Sequence, residues 1–409
     1  MSDSTEQQDA DANLIPPPSA DLASAPAWRR EPYRLFFPLG VFLSWAGIGP
    51  WLALAAFEVG TYSAAFHSIA QSQGFMMAFV TGFLFTAIPR RTKTAAPATW
   101  EMLIGLGAPI GTTAAAGLGA VPLAQLFWVI SVLVLVVFVV RRFLSSSAGR
   151  RPPNSFVWLP MSFAIALGGV VVIGFQRPFG NRMWWLHDLG KDLVTQGMLL
   201  GLIVGVGGMV IPLITCGDAP PDGEPTPRDR KIKFAHLLAA AALVLTFLVE
   251  LKVSERGGLA LRAALVLALL LTVAKIWRRP RVPGWHRWLV WFSAWCLPLG
   301  YAFAALEPAW KHAGLHVVFI GGFGLMALAV GAHVSLAHGG REGAARANHW
   351  PVPFLGGLIL LSLGARVLLT LDPARSRWHM GVAAAAFIVG TVFWLALVVP
   401  QSLAAKKEG

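Results

Sequence analysis

About twelve apolar runs of roughly 18–24 residues, separated by short polar stretches, leave this chain few ways to fold, because that is the helix length that crosses a bilayer core. They lie near 35–57, 66–88, 101–120, 122–140, 157–175, 193–214, 234–251, 258–275, 288–306, 313–334, 352–371 and 380–400. An unpaired backbone group is costly in hydrocarbon, so each run is predicted as a helix and not a strand. The composition agrees. Of the 409 residues 56% are hydrophobic and 13% charged, where a soluble domain carries about 25% charged. A cytosolic enzyme, a disulfide-stapled secreted module and a disordered chain are thereby excluded, and the fold class is an all-α polytopic membrane protein.

Lys and Arg accumulate on the cytoplasmic side of such proteins. If the N-terminus is inside, the inner segments hold Arg29, Arg30 and Arg34; Arg90, Arg91 and Lys93; Arg141, Arg142, Arg150 and Arg151; Arg228, Arg230, Lys231 and Lys233; Lys275, Arg278, Arg279, Arg281 and Arg287; Arg341 and Arg346; Lys406 and Lys407. These are most of the 33 basic residues, so both termini are expected in the cytoplasm. The bias accounts for the net charge of +13 without nucleic acid, for which there is no motif. Residues 1–33 read as a disordered tail without a secretory signal, 34–402 as one transmembrane domain, 403–409 as a second tail, and 216–231 as a Pro- and charge-rich inner loop. Cys216 and Cys296 form no Cys-x-x-Cys pair, which excludes a zinc finger, a thioredoxin-like centre and covalent haem attachment.

An internal repeat organises the spans. Gln73-Gly74, Gly82 and Pro89 in the second recur as Gln196-Gly197, Gly205 and Pro212 in the sixth, at an offset of 123 residues. The tenth joins at an offset of 249, where His67 corresponds to His316, Gly82 to Gly331, and Pro89 to His338. Three such helices four spans apart predict three four-helix units, about 34–145, 155–280 and 286–402. Gly74, Gly82, Gly331 and their neighbours would let helices or a flat ligand approach closely.

No Asp, Glu, Lys or Arg falls in the middle of a predicted span; Glu58, Lys191, Asp192, Glu250, Lys252, Arg262 and Arg366 sit near the ends. An ion-coupled transporter normally has an intramembrane ionisable group, so this counts against transport. The ten histidines divide by side. His67, His187, His312, His316 and His379 are outer; His236, His286, His333, His338 and His349 are inner. Facing histidines are one way a helical membrane protein holds haem or copper. His67 and His316 open equivalent repeat helices and His312 lies one turn before His316, so this group is the sharper candidate site. Single histidines at an interface also simply bond headgroups or carbonyls. The inner candidates, His333 and His338 with Gly339-Gly340-Arg341, equally fit a helix end with a headgroup anchor. Met76 and Met77 fit packing, and the tryptophans at span ends fit an aromatic belt.

The segments FHSIAQSQGFMMAFVTGFLFTAIPRRTKT (66–94), GKDLVTQGMLLGLIVGVGGMVIPLI (190–214) and HVVFIGGFGLMALAVGAHVSLAHGGRE (316–342) resemble the NnrS family of bacterial inner-membrane proteins. The resemblance runs from about Arg34 to Pro400. It implies a part in denitrification and nitric oxide defence, with haem and copper as cofactors. Of the family's His-Ala-His-Glu-Met pattern in the second span only His67 is present; Ile69 and Ala70 replace the second histidine and the glutamate. In the tenth-span pattern His316, His338 and Arg341 match, while His333 replaces an arginine and Ala337 a glycine. These losses weaken copper more than haem.

The helix count and the histidines on the second and tenth spans are also similar to the catalytic subunit of haem–copper oxidases and nitric oxide reductases. The chain lacks their His-Pro-Glu-Val segment and the adjacent histidine pair of their seventh span. The expectation is a non-covalent, b-type haem held by His67 and His316, with nitric oxide or a related gas as ligand. A twelve-helix transporter and a metal-handling assembly factor are the alternatives.

Overall fold

The computed structural model describes residues 20–61, 63–146, 151–176, 183–339 and 343–403. Each expected span is a helix. The first unit holds α1 Tyr33–Phe57, α2 Ala64–Thr92, α3 Thr99–Gly117 and α4 Val121–Leu144. The second holds α5 Trp158–Gln176, α6 Trp184–Cys216, α7 Pro227–Lys252 and α8 Glu255–Thr272. The third holds α9 Trp285–Leu306, α10 Pro308–His338, α11 Pro351–Leu371 and α12 Ser376–Leu403. Ten of these are long and apolar enough to cross a membrane, and the described residues contain no strand. The protein is an all-α, multi-pass membrane protein. The two helices outside the ten are α3, which starts with Glu101 in its first turn, and α8, which carries Glu255, Arg256 and Arg262.

Helix ends follow local chemistry. Ser63, Thr226 and Ser254 cap α2, α7 and α8, each hydroxyl accepting from a backbone N–H three residues on. Gly217 ends α6 with φ +74°, a conformation glycine adopts without strain. Of the expected N-terminal tail, residues 20–32 are described. They form two short helices, and Glu31 pairs with Arg90 of α2 at 2.6 Å.

The pairing repeats from unit to unit. The first helix of each packs on the second, and the third on the fourth. The fourth helix of each unit packs on the first helix of the next: α4 on α5, α8 on α9, and α12 back on α1. Three units thus close into a ring, with α2, α6 and α10 sharing the cavities at its centre. Each of these three contains a wide π-helical turn: Ala70–Phe75 in α2, Leu193–Gly197 in α6 and Val317–Gly324 in α10. With the sequence offsets of 123 and 249 residues applied, these three turns overlap, and α6 has a further one of its own at Ile203–Gly207. π-helix is well under 1% of residues in proteins and concentrates at functional sites, so the coincidence supports the repeat independently of residue identity.

The repeat glycines serve helix packing. A Cβ on Gly74 would strike Thr113 Oγ1 of α3, one on Gly82 would come 2.6 Å from Phe36 Cβ, and one on Gly331 3.0 Å from both Phe79 and Trp394. Of these three only Gly331 borders a cavity, the smaller one, while Gly324 of the same helix lines the main cavity.

Candidate functional site

Because α2, α6 and α10 face one another, equivalent repeat positions meet at one end of the bundle. There they enclose a cavity of about 660 Å³, closed further by residues of α1, α11 and α12. Four histidines line it: His67 of α2, His187 of α6, and His312 and His316 of α10. The outer cluster expected from sequence is therefore brought together, except for His379, whose Nε2 lies 3.2 Å from Asp372. The volume lies within the roughly 300–1,000 Å³ of cofactor and ligand sites.

Hydrogen bonds fix the two repeat-related rings. His67 Nδ1 lies 3.0 Å from the Gly47 carbonyl. His316 Nδ1 lies 2.6 Å from the His312 carbonyl, and its Nε2 accepts from Arg366 Nη2 at 2.8 Å. The Arg366 guanidinium sits 4.4 Å from the ring centroid of Trp51, and Trp51 packs on His67 at 4.5 Å. His67, Trp51, Arg366 and His316 are thus linked by successive contacts along the cavity lining.

Polar side chains sit at the π turns. Gln73 exchanges both amide hydrogen bonds with Gln125 of α4, at 3.1 and 3.3 Å. Its repeat partner Gln196 donates to Asp192 at 2.9 Å and accepts from Tyr301 at 2.9 Å. All but Tyr301 line the cavity. The repeated Gln-Gly motif was the signal for these residues, though by itself it marks only a repeat. Arg366 had no signal beyond its charge, being 50 residues from His316 on another helix.

The charges expected near helix ends are at those positions, but several point inward. Arg262 is fully buried and pairs with Glu250 at 2.7 Å; Lys311, at the cavity wall, pairs with Glu250 at 2.7 Å and Glu255 at 2.8 Å. Asp192 is also buried. The interior is thus not free of ionisable groups, and the case against transport drawn from their absence is withdrawn.

A second, almost wholly apolar cavity of about 120 Å³ lies deeper between the same three helices and shares Met76 and Phe323 with the first. Met77 is buried packing. At the opposite end of the bundle His286 Nε2 lies 3.1 Å from His333 Nδ1, so His333 finds a histidine partner on α9. The His338 ring packs 5.7 Å from that of Tyr33, and His236 accepts from Trp158. Arg341 lies outside the described residues. Among the described residues no three His, Cys, Asp or Glu side chains are grouped to hold a metal ion; of the expected metal-binding histidines, His67 and His316 share the main cavity, while His333 and His338 lie at the opposite end of the bundle.

A ring of three four-helix units around a histidine-lined cavity defines the architecture of this polytopic membrane protein. The family profile described as "NnrS protein" matches residues 27–406, nearly the whole chain. The chain belongs to the NnrS family. Among curated proteins no relative matches it.

Proposed function

We propose that this is a haem-binding protein of the bacterial inner membrane that takes part in the response to nitric oxide, with its termini in the cytoplasm and the histidine cavity at the periplasmic end. Family membership supports the link to nitric oxide. The observation that carries the haem reading is the assembly of His67, His187, His312 and His316 on one cavity of about 660 Å³. A carbonyl only accepts, so the contact with Gly47 puts the hydrogen of His67 on Nδ1 and leaves the Nε2 lone pair for a metal, the orientation typical of ligating histidines. His316 stands at the repeat-equivalent place and His312 beside it.

Bound haem would supply an iron that coordinates a diatomic gas or passes electrons. The chain's part would be to orient His67 through Gly47, to line the pocket with Trp51, Met76 and Phe323, and to hold the basic side chains of Lys191 and Lys311 at the wall for its carboxylates. Gases partition into the bilayer, so a site between helices needs no aqueous channel. Copper has no grouped set of three His, Cys, Asp or Glu ligands among the described residues.

Optical spectra of the detergent-purified protein from haem-replete cells test the reading. Sharp reduced bands are expected, and His67→Ala should lower haem content about tenfold or more. A folded, colourless parent would end it.

A further inference from the structure

The two repeat-related histidines differ in what their Nε2 atoms do, and the difference decides how many axial positions they can fill. In both, Nδ1 faces a backbone carbonyl, which can only accept, so both rings carry their hydrogen on Nδ1 and their single lone pair on Nε2. At His67 no hydrogen bond occupies that lone pair among the described residues. At His316 it accepts from Arg366 Nη2 at 2.8 Å. A guanidinium only donates and stays charged at any pH a protein meets, and one lone pair cannot serve both it and a metal. Arg366 is held in place from the other side by Trp51, whose ring lies 4.4 Å from the guanidinium and also packs on His67.

We propose that Arg366 keeps His316 off the iron. His67 is then the single axial ligand, and the side of the cavity walled by His316 and Arg366 is the binding place of a diatomic gas. This rests on the haem reading above. A gas that gains negative charge on coordination is favoured beside a fixed cation, as oxyanions are beside preorganised donors. Arg366 thereby acts twice, by withholding a competing ligand and by facing the gas. Removing the guanidinium should free His316 Nε2 to close the iron and exclude the gas.

The test uses the full-length, haem-loaded protein in detergent, read by optical and electron paramagnetic resonance spectra and by carbon monoxide binding to the reduced form. The parent is expected to be high-spin and to bind carbon monoxide. Arg366→Leu should shift to low-spin and lose carbon monoxide binding, and His316→Ala placed on top of it should restore both. His316→Ala alone should show no conversion from low-spin to high-spin iron, because His316 is not a ligand in the parent, and this variant carries the test if Arg366→Leu does not fold. A haem-loaded parent that is already low-spin, and becomes high-spin in His316→Ala, would overturn the role of Arg366 while leaving the haem reading intact. A folded, haem-free parent would overturn both.

Discussion

At the scale of single residues, burial was the property least legible in the sequence. Glu250 and Arg262 lie near the ends of α7 and α8, where a linear reading gives a charge to the headgroups. Instead the turn between these helices folds them onto each other. Gly258 packs so closely on the backbone of Glu250 that a Cβ there would strike Glu250 N and Cα, and the two side chains meet where neither reaches water. Their side chains are 2% and 0% exposed, with Arg262 also stacked 3.6 Å over Phe247. A charge stranded in such a place is costly, and truncating one member of a buried pair typically loses about 3–5 kcal/mol. Glu250→Ala should therefore destabilise strongly, leaving Arg262 uncompensated, as read by thermal unfolding in detergent. The double variant Glu250→Leu with Arg262→Met should lose less than the single one, since the buried guanidinium is gone and Lys311 keeps Glu255 as its partner. A loss well under about 1 kcal/mol for Glu250→Ala would place the pair in the class of surface ion pairs.

At the scale of elements, the repeat could be read from Gln73-Gly74, Gly82 and Pro89 and their counterparts, and so could the meeting of His67 with His316. The π turns could not, because a widened turn has no residue signature of its own; it emerges when the helix must satisfy packing on both sides. α2 shows the constraint. Gly74 lies in the wide turn and touches Thr113 so closely that any Cβ collides with its hydroxyl, while Gln73, one residue earlier, turns to Gln125 and the cavity. Overpacking of this kind costs about 1–3 kcal/mol. Gly74→Ala is expected to lose that much, and Gly74→Ala with Thr113→Ala to regain most of it, because the second change removes the atom that is struck. A double-mutant cycle on unfolding midpoints measures the coupling. Additive losses would mean that the α2–α3 contact does not set the turn.

At the scale of the whole molecule, the ring depends on how many helices cross. Ten are long and apolar enough; α8 is set apart by Glu255, Arg256 and Arg262, and α3 by Glu101 together with its glycines, threonines and Pro109. Yet α3 packs along α4 and on the wide turn of α2, and α8 packs along α7 and α9, as the corresponding helix α11 packs along α12 and against α10. Glu101 of α3 is buried against Arg142 at 2.7 Å and so does not oppose burial of the helix end. If α3 and α8 cross, the strands of sequence alternate so that the α3–α4 loop lies outside and the α6–α7 loop inside, as the basic residues require. If α3 stops short, its two flanking loops share a side and that alternation fails in the first unit. The distinction can be read in a cysteine-free background, Cys216→Ser and Cys296→Ser, with Leu118→Cys or Glu224→Cys added at exposed positions of the two loops. An impermeant maleimide applied to intact spheroplasts should label position 118 and spare 224, and permeabilisation should make 224 reactive. Protection of 118 in intact spheroplasts would remove α3 from the crossing helices. It would also break the correspondence between the first unit and the third, which places His67 and His316 on one cavity.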